Sequence, residues 1–77
     1  MVFPEIAKLM AYKNMRQKDL GKIIGCTQQA TSRKLKGKTD FKRSEMIKIK
    51  EHFKDIAPDI TIDQIFHEEY FFYKDGS

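Results

Sequence analysis

Gln28 and Gln29 stand side by side in the stretch GCTQQATSRKLKG at 25–37, with Ser32, Arg33, Lys34 and Lys36 close behind. A glutamine side chain offers one carbonyl acceptor and one amide donor pair. That pattern suits a partner that displays a donor beside an acceptor. The cations that follow suit a polyanion. At helical spacing Arg33 falls one turn beyond Gln29, with Ser32 on the same face.

The charge distribution points the same way. The 77 residues carry a net +4. Residues 1–50 hold 13 Lys/Arg against 4 Asp/Glu, whereas residues 51–77 hold 2 Lys against 7 Asp/Glu. A basic front and an acidic back suggest one face that meets a polyanion. No metal, cofactor or catalytic site is expected. His52 and His67 have no Cys or His at metal-ligand spacing, and they read as surface or packing residues. No Ser-His-Asp arrangement, glycine-rich phosphate loop or paired carboxylates occur, so the chain reads as not an enzyme. Cys26 reads as a core thiol with no base or metal partner. A single cysteine, no apolar run near the ~18 residues that span a membrane and no signal-like start predict a cytoplasmic protein.

The elements that would hold Gln28 and Gln29 are helices. Pro4 suits a helix's first turn, and Ile6, Leu9, Met10 and Tyr12 recur behind it, with Asn14 as a left-handed stop and Met15 anchoring the turn. A second helix is expected over Gln17–Ile24, with Leu20, Ile23 and Ile24 as its apolar face and Gly25 as its stop. Thr27 is a good N-cap for a third helix over 28–36, which Gly37 ends. Phe41 enters the core from a loop. A fourth helix runs from about Ser44 to Phe53 and carries Met46, Ile47, Ile49 or Lys50, and Phe53 on its apolar side. After Pro58, Thr61 and Gln64 form a capping box flanked by Ile60 and Ile65, and a short fifth helix covers about 62–67. The run YFFYK at 70–74 is β-prone or packed coil. The fold class is therefore all-α: a compact five-helix domain at 1–67 with a short aromatic tail at 68–77.

Two short helices joined at IGCT make a helix-turn-helix signal over 17–36. Leu20 and Ile24 are apolar, Gly21 is small where the helices must approach, and Gly25 makes the turn. At this point RQKDLGKIIGCTQQATSRKLKGK resembles the phage repressor and Cro type of helix-turn-helix regulator. The later stretches DFKRSEMIKIKEHF and ITIDQIF look like the family's fourth and fifth helices, so the resemblance covers about residues 5–66.

The resemblance implies that the third helix enters the major groove of double-stranded DNA. Gln28, Gln29, Ser32 and Arg33 would then reach base edges. A glutamine amide bonds N6 and N7 of adenine, and Arg33 adds a guanine or phosphate contact. Gln17 would hold a phosphate and brace the first reading glutamine. Thr27, Lys36, Lys38, Lys42 and Arg43 would bind phosphates, which position the protein without reading sequence. The lysines of 34–42 are read together as phosphate contacts.

Four residues depart from the family pattern. Lys34 stands where an apolar residue is usual, so either the third helix is rotated or the lysine stem snorkels along the core edge. Met10 and Leu35 stand where some relatives pair an arginine with a glutamate, which replaces an ion pair by an apolar contact. Arg16 stands where Ser, Thr or Asn caps the second helix; Asn14 with Gln17 is the alternative cap and would shift the helix start.

The expectation is a repressor or Cro-like transcriptional regulator of phage or prophage type, binding an inverted-repeat operator as a homodimer and blocking polymerase. The alternative is a protein-interaction module, such as a modulator that binds a second phage regulator, or an antitoxin. The tail is either a dimerisation segment or a cover, with Tyr70 and Phe72 folded onto the first and fifth helices.

Overall fold

The computed structural model describes residues 3–66. The expectations for His67, the 70–74 run and the 68–77 tail lie outside the described residues. Among those described, the chain forms five helices and no strand: α1 (Pro4–Tyr12), α2 (Gln17–Ile24), α3 (Gln28–Leu35), α4 (Arg43–His52) and α5 (Ile62–Phe66). None of these helices is long and apolar enough to cross a membrane.

The first three helices end in the same way. Asn14, Gly25 and Gly37 have φ of 55°, 75° and 77°. In each case the next amide reaches back five residues: Met15 N–H to Met10 O at 2.8 Å, Cys26 N–H to Gly21 O at 2.8 Å, and Lys38 N–H to Arg33 O at 2.9 Å. This left-handed stop satisfies carbonyls that a helix end would otherwise leave open. It also turns the chain sharply enough to place α3 directly after α2.

The starts of α2, α3, α4 and α5 are set by side chains. The Thr27 hydroxyl accepts the Ala30 N–H at 3.1 Å, which fixes the first turn of α3. Arg16, not Asn14, is the N-cap of α2, and the helix start does not shift. Arginine has no acceptor to offer. The cap comes instead from the Asp19 carboxylate, which accepts the Arg16 N–H at 2.9 Å. Glu45 does the same for α4, accepting the Lys42 N–H at 2.8 Å. Thr61 and Gln64 form both halves of the expected capping box, at 3.2 and 2.9 Å.

The core is one cluster. Phe3, Phe41 and Phe66 pack edge to face in a triangle with centroid separations of 5.1–5.8 Å. Ile6, Leu9, Met10, Leu20, Ile24, Leu35, Ile49, Phe53 and Ile65 complete it. Phe41 enters from the loop as expected, and Met10 and Leu35 are both buried in the cluster.

Two expected core positions face solvent: Tyr12 is 75% exposed and Ile47 is 45% exposed. In α4 the buried line is Glu45–Ile49–Phe53, with Met46 half-buried at its edge. The spacing is helical, but its first member is a charge.

Candidate nucleic-acid interface

α2 and α3 form the helix-turn-helix unit, and their closeness has a specific cause. A Cβ on Gly21 would lie 2.7 Å from Cys26 O and 2.8 Å from Thr31 Oγ1. Only glycine leaves room for the chain to pass beneath α2 there. Thr31 is fully buried, and its hydroxyl donates to Thr27 O at 2.8 Å, so its polar atom is satisfied within α3.

With Thr31, Lys34 and Leu35 turned inward, the opposite side of α3 is presented outward. Gln28, Gln29 and Arg33 are exposed and Ser32 is half-buried. Together with Gln17 from the first turn of α2 and Lys36 beyond the end of α3, they line one open concavity of about 490 Å³. Six of the ten site residues read from the sequence thus converge on one surface. Its lining holds three primary amides, one hydroxyl and two cations, and no carboxylate. A site of this make-up offers paired donors and acceptors beside positive charge.

The other four do not line that concavity. Thr27 is spent on capping α3 through its hydroxyl oxygen. Lys38, Lys42 and Arg43 are exposed on the loop after α3 and at the start of α4.

Lys34 requires a correction. It does not belong with the exposed lysines, and its head does not snorkel to water. Its side chain is 8% exposed, and the ammonium straddles Glu45, 2.6 Å from each carboxylate oxygen. Burial alone would push the lysine pKa down, but hydrogen bonds to Glu45 and Cys26 outweigh it and leave the value raised. Burial would likewise push Glu45 up, and the bonds from Lys34, the Lys42 backbone and Cys26 leave it lowered. Each group is held in its charged form by the other.

Cys26 also has partners that the sequence reading did not assign. Its thiol donates to Glu45 Oε2 at 3.3 Å, and Lys34 Nζ donates to Cys26 Sγ at 3.5 Å. The turn of the helix-turn-helix is therefore part of a polar network with α3 and α4. Glu45 is the residue that sequence reasoning missed. A signal for it was present: a lysine on a buried stripe needs an acid, and between Gly37 and Lys50 the acids are Asp40 and Glu45.

Among the described residues, no three His, Cys, Asp or Glu side chains gather as they would around a metal ion. No family model, curated relative or solved structure matches the chain.

Proposed function

We propose that this chain is a sequence-specific, double-stranded DNA-binding transcriptional regulator that reads an operator with α3 in the major groove. The observation that carries the reading is the concavity shared by Gln17, Gln28, Gln29, Ser32, Arg33 and Lys36. Short polar side chains at the start of a helix reach base edges in this mode of docking. Glutamine matches the N6 and N7 edge of adenine, and arginine matches the O6 and N7 edge of guanine. Lys38, Lys42 and Arg43 would hold phosphates on either side and set the register. The binding unit on DNA is a homodimer, with half-sites about one helical turn, ~34–36 Å, apart.

The test is an in vitro selection from random duplex DNA at near-physiological salt. Enrichment of an inverted repeat supports the reading and the dimer. Enrichment of an isolated half-site keeps base reading and removes the dimer. Salt-sensitive binding with no enriched sequence refutes sequence-specific recognition.

A further inference from the structure

The reading surface makes no use of the buried polar network, yet that network joins it to the rest of the domain. Of the residues α3 buries, Thr31 bonds within its own helix and Leu35 is apolar. Thr31 fits against Gly21 and so places α3 against α2, and neither residue bonds to α4. α3 packs closely on α2, whereas no Cα of α3 lies within 8 Å of one in α4. Long side chains cross that gap. Lys34 reaches from α3 to both oxygens of Glu45 at 2.6 Å. The same carboxylate accepts the Lys42 N–H at 2.8 Å. One carboxylate thus grips both the helix that carries the glutamines and the start of α4, where Lys42 and Arg43 stand.

We propose that Lys34 and Glu45 are positioning residues for site recognition, their ion pair setting the angle between α3 and the basic start of α4. The inference rests on the DNA-binding reading above. Recognition of one site requires base contacts and phosphate contacts in a common register. Nonspecific binding requires positive charge near phosphates and little else. Loosening the pair therefore costs discrimination first.

Stability and discrimination can be separated experimentally. Replacing both members of a buried ion pair by apolar residues is often neutral or stabilising. K34M/E45M also leaves the net charge unchanged, so the salt-driven part of binding is preserved. In the full chain, K34M/E45M is expected to stay folded. Its affinity for the selected site should fall about tenfold or more, comparable to misreading one base pair. Affinity for a random duplex at the same salt should stay within about twofold. K34R keeps the pair and should retain most of the discrimination.

A folded K34M/E45M with full discrimination overturns the proposal. Should that variant fail to fold, E45Q keeps the shape and removes the charge, and undiminished discrimination in folded E45Q overturns it equally. A second readout needs no DNA. Backbone residual dipolar couplings of the free protein should show α3 reoriented against α4 in K34M/E45M, with α1 and α5 unchanged. If the wild-type chain selects no site at all, the DNA reading fails and the positioning role falls with it; if it selects a site but the angle between α3 and α4 is unchanged in the couplings, the positioning role alone is refuted.

Discussion

Lys34→Met removes an ammonium and keeps an unbranched stem of similar length. Glu45 would then remain buried, at 5% exposure, without its cation. It would lose two contacts of 2.6 Å and keep the Lys42 N–H at 2.8 Å and the Cys26 thiol at 3.3 Å. Breaking a buried pair by removing one partner costs about 3–5 kcal/mol. The two surviving donors place this case at the lower end, about 3 kcal/mol. For a domain of this size, 1 kcal/mol moves Tm by about 4–8 °C, so the expected drop at neutral pH is about 12–24 °C. The effect also has a sign in pH. In the wild type Glu45 is lowered from its ordinary value, so its stabilisation is present above the unfolded pKa and is lost as pH falls through the folded one. In the variant, burial acts without the ammonium and raises the carboxyl above its unfolded value. A raised acid costs stability at neutral pH and stops costing it once protonated. The gap between variant and wild type should therefore narrow as pH falls from neutral toward about 4, the ordinary range of a glutamate. Thermal melts followed by far-ultraviolet circular dichroism at both pH values measure this. A Tm drop smaller than about 4 °C, or a gap that does not change with pH, would refute the account of a buried, mutually charged pair.

Three further outcomes follow from the geometry. Gly21→Ala places a methyl group 2.7 Å from the Cys26 carbonyl, where backbone must yield, and should destabilise by about 1–3 kcal/mol in a urea melt. Gln28→Ala or Gln29→Ala should cost about 1–3 kcal/mol at the selected site and little on random duplex, whereas Lys38→Ala should weaken both alike and reduce the salt slope by about 1, as titrations at several salt concentrations would show. Thr61→Ala removes the acceptor for the Gln64 N–H and should lower stability by about 0.5–2 kcal/mol, read from the same melts.

Much of the helical frame was legible in the residues because its signals are local. Gly25, Gly37 and Asn14 sit where a chain must enter a left-handed conformation, so the ends of the first three helices could be placed from residue type. α2 was placed at its observed bounds for that reason. Thr61 and Gln64 announced α5 through a side-chain pattern spanning one turn. The gathering of Gln28, Gln29, Ser32 and Arg33 follows from helical spacing alone, and Gln17 joins them once α2 and α3 are set by the turn. The inward side of α4 was legible at Ile49 and Phe53 and missed at its first turn. The stripe begins with Glu45, which apolar spacing passes over in favour of Met46, half-buried at the core edge, and Ile47, which is exposed. Lys34 misled in the same way, since a charge on a buried stripe reads as a surface residue. Each charge looks misplaced on its own helix. They make sense only as a pair, and the pairing depends on how α3 sits against α4, which no local pattern encodes.

That shared exception has a physical origin in the demands on α3. A helix that presents amides and a guanidinium outward, and is eight residues long, has little apolar surface left to anchor itself. Leu35 is its one large apolar residue, buried at 1% exposure. Burying a single leucine contributes about 1.5–3 kcal/mol, and one such contact specifies an angle less strictly than hydrogen bonds do. What the apolar side lacks in direction is made up by polar contacts with strict geometry. Thr27 caps the start of α3, the left-handed Gly37 closes its end, and Lys34 grips Glu45 across the gap to α4. Replacing the pair by apolar side chains would preserve the energy of burial. It would remove the constraint on angle, on which the proposed reading of base edges by α3 would depend more than on stability.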